Sequence, residues 1–347
     1  MKAVVVHGPG DIRYEDMGEP VPGAGEVLVH VRAAGICGSD IVRALGSGAH
    51  YYPIILGHEV SGEVCKSGET SGGRFRQGER VAVAPLIPCF TCQSCEKGYF
   101  SLCMGYDFIG SRRNGGFAEY VAVPERNLVH LRDSVSYEAG AMLEPATVPL
   151  HAMLISGFTP GESVVVLGAG TIGLLALQWA RILGARKVIA VDVVPQKLEI
   201  ARRLGCDVAV DARGEGATLE EAVIGETGGG AGYVFETAGH PATQVEALKV
   251  AGRRAKVVLI GTSPRDVTFS GPVFEMIIRK ELAIFGSWMS YSAPFPGKEW
   301  EMALHFIASG ALKVEPIITQ RLPLSAAGDA IRAFASGRGN VKVMFVS

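Results

Sequence analysis

The stretch Ser163-Val164-Val165-Val166-Leu167-Gly168-Ala169-Gly170-Thr171-Ile172-Gly173 decides the fold. Its first five residues form a run suited to a strand buried on both faces. The glycines that follow satisfy G-x-G-x-x-G directly after that strand and at the head of an apolar-striped helix running from Thr171 to about Leu183. Glycine is common in this chain, at 45 residues, so the pattern alone is weak and its context carries the reading. Gly168 permits a tight turn, Gly170 lets backbone approach a pyrophosphate, and Gly173 allows helix to pack closely on strand. The helix N-terminus, with Thr171 and Ile172 in its first turn, offers free N–H donors to an anion. The next strand, Lys187 to Val191, ends at Asp192. A carboxylate there accepts hydrogen bonds from ribose hydroxyls and repels a 2′-phosphate, which favours NAD over NADP.

Downstream, further buried strands are expected at Val208 to Val210, Tyr233 to Glu236, Lys256 to Ile260 and Leu282 to Phe285. The alternation predicts an α/β domain with a doubly wound parallel sheet. Upstream the texture differs. Short β-like runs broken by Gly and Pro, at Met1 to His7, Glu26 to Ala34, Glu59 to Lys66, Arg80 to Pro85 and Ala118 to Val123, suggest a compact β-barrel domain. Helical patterning begins near Glu138, and the chain ends with a helix near Glu299 to Ser309 and a closing strand from Lys342 to Val346. A length of 347 residues fits two domains. A net charge of −2 provides no basic field for nucleic acid or an anionic membrane. Met1 to Arg13 lacks the pattern of a secretory signal and no apolar run is long enough to span a bilayer, so a cytoplasmic location is expected.

Seven cysteines in such a chain argue against a disulfide framework. Cys89, Cys92, Cys95 and Cys103 form C-x2-C-x2-C-x7-C, and four thiolates so close in sequence can close a tetrahedron around one zinc with no open position. That site is structural. A zinc ribbon for nucleic acid would separate two C-x2-C pairs and carry basic surface, which this chain lacks. Cys37, His58, Glu59 and Glu144 are less obvious. Taken singly, Cys37 reads as a small core residue, His58 as a turn histidine and Glu59 as a solvated charge. Taken together, one Cys, one His and one or two carboxylates leave a coordination position open, as a catalytic zinc requires.

The order of motifs reverses the bland reading. Gly35-Ile36-Cys37-Gly38-Ser39-Asp40, Leu56-Gly57-His58-Glu59, the four-cysteine lobe, Gly115 to Tyr120 and the glycine turn together resemble the zinc-dependent medium-chain dehydrogenase/reductase superfamily over essentially the whole chain. The resemblance implies a GroES-like catalytic domain at 1–148 and 286–347, with its zinc lobe at about 86–106, and an inserted Rossmann domain at 149–285, the active cleft lying between them. Within the superfamily the likeness is to the polyol branch, and more narrowly to enzymes of galactitol 1-phosphate. It rests on Gly48 to Pro53, Pro88 to Cys92, Tyr106 to Arg113 and Gly286 to Met289. It implies oxidation of a secondary alcohol, galactitol 1-phosphate to tagatose 6-phosphate, with NAD and two zinc ions per chain.

In that reading zinc, held by Cys37, His58 and Glu59 or Glu144, acidifies the substrate hydroxyl. Ser39 is placed to accept the proton, and Glu144 is either a ligand or a partner of the site. Many relatives carry a relay histidine where this chain has Val42. Arg112, Arg113 and His50 are candidate phosphate contacts, Arg43 and Lys298 weaker ones, and Trp288 and Tyr291 candidate pocket walls. Asp40 reads as a hydrogen-bond organiser. Relatives assemble as dimers or tetramers, so a homodimer or homotetramer is expected. The rival readings are a dehydrogenase of a free polyol (sorbitol, xylitol, galactitol) or of L-threonine, a non-catalytic NAD-binding protein, and a zinc-dependent interaction module.

Overall fold

A computed structural model describes residues 1–69, 72–214, 217–337 and 339–347. The chain forms two compact units: 1–144 with 291–310 and 314–347, and 145–290 with 311–313. These boundaries lie four to five residues from the expected cuts at 148/149 and 285/286.

The first unit is built on β-structure. A seven-stranded sheet runs Leu128–His130, Arg80–Val83, Glu59–Ser67, Glu26–Gly35, Lys342–Val346, Ile318–Leu322, with Tyr120–Pro124 also paired to Glu26–Gly35. A three-stranded sheet of Asp11–Asp16, Lys2–Gly8 and Ile54–Ile55 accompanies it. Their apolar faces share one core that includes Val4, Val29, Val60, Val83, Phe117 and Phe345. The strand Asp11–Asp16 was not expected from sequence. Four of its six residues are charged and its pattern is largely solvated, so it carries little hydrophobic signal. The closing strand Lys342–Val346 appears as predicted and pairs antiparallel with Glu26–Gly35, Met344 opposite Gly35.

The second unit is a six-stranded parallel sheet ordered Val208–Asp211, Lys187–Asp192, Ser163–Leu167, Ala231–Glu236, Ala251–Leu259, Ala283–Gly286. The strand order reverses beside Ser163–Leu167, the switch point at which open α/β sheets bind ligands. Ser163–Leu167 is buried along its whole length, as its sequence requires. Ala251–Leu259 begins five residues before the predicted Lys256. Its first half has two exposed residues, Arg253 and Arg254, and Arg254 takes a positive φ of 57°, so local hydrophobicity hides the start of the strand. The helical patterning near Glu138 divides into Tyr137–Ala141 and Leu143–Ile155.

Candidate active site and cofactor site

The catalytic candidates converge because of strand register. Glu26–Gly35 and Glu59–Ser67 are antiparallel neighbours, and Gly35 sits opposite Glu59. Cys37 leaves the end of the first strand as His58 and Glu59 enter the second, so ligand atoms of Cys37, His58 and Glu59 all lie within 4.8 Å of one another. Gly35 is obligatory here: a Cβ on it would lie 2.1 Å from Glu59 Oε2. Gly57, at φ +94°, turns the chain into His58, and the ring of Phe117 occupies the space a Cβ would need. The Gly115-Gly116-Phe117 backbone N–H groups donate to the carbonyls of Ile55, Gly57 and Leu56 at 2.8–2.9 Å, which holds that turn in place.

Supporting groups surround the cluster. Asp40 is fully buried; its Oδ2 accepts from the Cys37 N–H at 2.9 Å and its Oδ1 faces His58 Nδ1 at 3.3 Å. A carboxylate behind one ring nitrogen orients a histidine so that the other can meet a metal. Burial pulls the His58 imidazole down, but the charges of Asp40 and Cys37 outweigh it and the net shift is well upward. Such a concentration of anionic donors fits a cation. Glu144 lies outside the tight three-residue cluster yet close enough to act electrostatically on it; burial, aided by the charge of Glu59 and partly offset by His58, pushes its carboxyl up to about 7. Ser39 is half-buried in the first turn of the helix Gly38–Leu45.

Sequence reasoning missed Lys342. The residue is 1 % exposed and its Nζ donates to Glu59 Oε1 at 2.6 Å, Glu59 Oε2 at 2.5 Å and Ile36 O at 2.8 Å. A lysine at the head of an otherwise apolar strand was the available signal.

In the lobe, the sulfurs of Cys89, Cys92, Cys95 and Cys103 all lie within 4.8 Å of one another, and four of the six pairs stand 3.4 to 3.9 Å apart. A tetrahedron with Zn–S bonds of about 2.3 Å has edges of about 3.8 Å. The spacing fits zinc and is far longer than a disulfide bond of about 2.05 Å. A Thr91 backbone hydrogen bond, with help from its side chain and Cys103, draws the Cys89 thiol down to about 6, toward the thiolate a metal requires.

Gly168 adopts φ +99°, a Cβ at Gly173 would lie 1.8 Å from Gly168 O, and a Cβ at Gly170 would meet no atom within 4 Å. Open space over Gly170 at a helix N-terminus suits a pyrophosphate. Asp192 Oδ2 accepts from the Ala169 N–H at 2.6 Å and Oδ1 from those of Val193 and Val194 at 2.7 and 2.9 Å. A cavity of about 640 Å³ opens at the strand ends, lined by Gly168, Asp192, Thr218, His240, Thr243 and Lys249 among others. Lys249 is paired with Glu246 at 2.6 Å, and Arg265 reaches the His240 ring at 2.6 Å without lining the cavity.

The other candidates separate. Arg113 is committed to Glu26, 2.7 Å away, with Asp107 at 3.9 Å. Arg112 is exposed and lies over the Tyr106 ring at 4.3 Å. His50, Val42 and Lys298 are exposed. Tyr291 is fully buried and accepts from the Leu86 N–H at 3.2 Å, whereas Trp288 is half exposed. No helix among the described residues is long and apolar enough to cross a membrane.

Comparison with known proteins agrees with this geometry. A family model for the alcohol dehydrogenase GroES-like domain matches residues 23–133 and one for zinc-binding dehydrogenase matches 171–309. Galactitol 1-phosphate 5-dehydrogenase of Escherichia coli K12 is 40% identical over 347 residues, covering 100% of both chains. Sorbitol dehydrogenase of Bacillus subtilis is 32% identical, covering 99% of this chain and 96% of that protein. The crystal structure of galactitol-1-phosphate dehydrogenase from E. coli superimposes with a TM-score of 0.94 over 100% of both chains, at 40% identity. An alcohol dehydrogenase from E. coli CFT073, complexed with NADH, gives a TM-score of 0.90 at 30% identity, covering 100% of this chain and 99% of that one.

Proposed function

Because the chain belongs to the zinc-dependent medium-chain dehydrogenase/reductase family and is a polyol-type alcohol dehydrogenase, we propose that it oxidises the C5 hydroxyl of galactitol 1-phosphate to yield tagatose 6-phosphate, with NAD as hydride acceptor. The observation that carries the chemistry is the Cys37–His58–Glu59 cluster, in which His58 and Glu59 are buried and Cys37 half-buried. The phosphorylated substrate follows from the full-length likeness to an enzyme of that name.

In this reading two zinc ions are held, one by Cys89, Cys92, Cys95 and Cys103 as a clasp for the lobe, the other by Cys37, His58 and Glu59. Bound there, zinc would supply a Lewis acid that makes a substrate hydroxyl acidic near neutral pH. Asp40 fixes the His58 ring and the Cys37 backbone. Lys342 holds both oxygens of Glu59, which stops the carboxylate from swinging away. Ser39 Oγ takes the hydroxyl proton, and Glu144, with a carboxyl poised near neutrality, holds a proton at the edge of the site. Val42 offers no route onward, so the proton leaves through water or the ribose. Gly168, Gly170, Thr171, Ile172 and Gly173 seat the pyrophosphate and Asp192 the adenosine ribose. The acids Asp192, Glu220 and Glu246 at the cavity favour NAD over NADP. The chain acts as a homodimer or homotetramer.

The experiment is NADH production from galactitol 1-phosphate, galactitol, sorbitol, xylitol and L-threonine, each before and after chelation. Turnover confined to the phosphorylated polyol and abolished by chelation is the expected result. Preference for a free polyol or threonine would leave the zinc chemistry and discard the phosphate. Bound NAD with no turnover on any of them would count against an active enzyme of this class.

A further inference from the structure

The turn 43–53 and the segment 106–113, which reaches the catalytic cluster through Phe108, bring Arg43 and Arg112 to bear on His50, while the one acid of the two segments, Asp107, faces Arg113. Arg43 lies in the last turn of the helix Gly38–Leu45, and the Tyr52 hydroxyl donates to the carbonyls of Arg43 and Gly46 at 3.2 and 3.1 Å. Arg43 Nη1 is buried with no hydrogen-bond partner among the described residues. A guanidinium donor taken out of water and left unmatched is costly, and such groups are ordinarily satisfied. Arg112 has no carboxylate partner among the described residues; its guanidinium lies over the Tyr106 ring at 4.3 Å, its charge open to solvent. His50 lies within electrostatic reach of both; burial first, then Arg112 and Arg43, hold its ring below the ordinary histidine range.

Arg113 next door shows what neutralisation looks like in this fold, since it is tied to Glu26. The chain therefore has acids to spare for one arginine of the pair and leaves the other open. Aromatic rings connect the cluster to the site: Arg112 over Tyr106, Tyr106 edge-on to Phe108 at 6.5 Å, and Phe108 edge-on to His58 at 5.6 Å. Along the helix, Arg43 stands six residues beyond Cys37, a rise of about 9 Å. An extended six-carbon polyol with its fifth carbon at the metal cluster carries its 1-phosphate away from it by a comparable reach.

We propose that Arg43, His50 and Arg112 form a subsite for the dianionic phosphate of a phosphorylated polyol. It deepens the proposed function and rests on it for the identity of the ligand. The planar guanidinium groups give paired N–H donors to phosphate oxygens and His50 adds one. Binding the anion satisfies Arg43 and relieves the mutual repulsion of the three groups.

The test compares kcat/KM for galactitol 1-phosphate and for galactitol in the zinc-loaded enzyme, with Arg112→Met and Arg43→Met. The expected result is a fall of at least tenfold in the ratio of the two specificity constants, carried by KM for the phosphorylated substrate. Inorganic phosphate should inhibit the wild type competitively and the Arg112→Met enzyme at least tenfold more weakly. Arg112 is exposed, so its variant folds even if Arg43→Met does not. An unchanged ratio in Arg112→Met, or an equal loss on both substrates, overturns the subsite. If the wild type fails to oxidise galactitol 1-phosphate, the substrate proposal falls, and calorimetric titration with inorganic phosphate then decides the subsite by itself. Binding weakened by Arg112→Met sustains it, and equal or absent binding overturns it.

Discussion

Replacing Lys342 by methionine tests the support of the catalytic cluster most directly. Methionine keeps an unbranched apolar stem of similar length, so the cavity cost is small. What disappears is an ammonium whose three protons are all used, two by Glu59 and one by Ile36 O. Glu59 is 1 % exposed, so its carboxylate is left in the interior without a cation. Removing one partner of a buried pair costs about 3–5 kcal/mol, while replacing both by apolar groups is often neutral. In a unit of roughly 200 residues that corresponds to a fall in melting temperature of about 10 °C, at roughly 3 °C per kcal/mol. The assay is guanidinium and thermal unfolding of the metal-stripped protein, because a bound cation beside Glu59 would mask the loss. Lys342→Met with Glu59→Leu should recover at least half of it. A loss below about 1 kcal/mol in the single variant, or a double variant as unstable as the two single losses added, would refute the assignment of Lys342 as the counter-charge.

Gly35→Ala drives a methyl group into Glu59 Oε2 and should lower kcat by about a hundredfold at a stability cost of about 1–3 kcal/mol; NADH binding followed by fluorescence should persist, because the cofactor cavity is lined wholly by the other unit. Asp192→Ala removes three backbone hydrogen bonds and the repulsion of a 2′-phosphate, so kcat/KM for NAD should fall about tenfold while the value for NADP rises relative to it; an unchanged cofactor ratio would argue against a ribose contact. Cys103→Ser should leave one zinc per chain instead of two by metal analysis and lower the melting temperature by several degrees, since a four-sulfur zinc stabilises the fold it closes. Two zinc ions retained in that variant would show the lobe is not a metal site.

The parts legible in the sequence are those whose partners are neighbours along the chain. The strand Ser163–Leu167, its glycine turn and Asp192 follow from local steric and packing rules, and the lobe cysteines fall within fifteen residues, so the spacing alone brings them to one point. The catalytic cluster is of another kind. Cys37 and His58 meet only because Gly35 is paired with Glu59 across an antiparallel ladder, and a register one residue away would send these side chains to the opposite face. Resemblance could name the residues, but their spacing could not bring them together. The counter-charge Lys342 lies 283 residues from Glu59 and arrives through the pairing of the closing strand with Glu26–Gly35. Likewise the apposition of Arg43, His50 and Arg112, and the diversion of Arg113 to Glu26, depend on which loops pack together. Periodicity along the chain determines which face of an element is apolar; which charged groups meet over that face is settled by long-range strand pairing, and only the folded chain contains it.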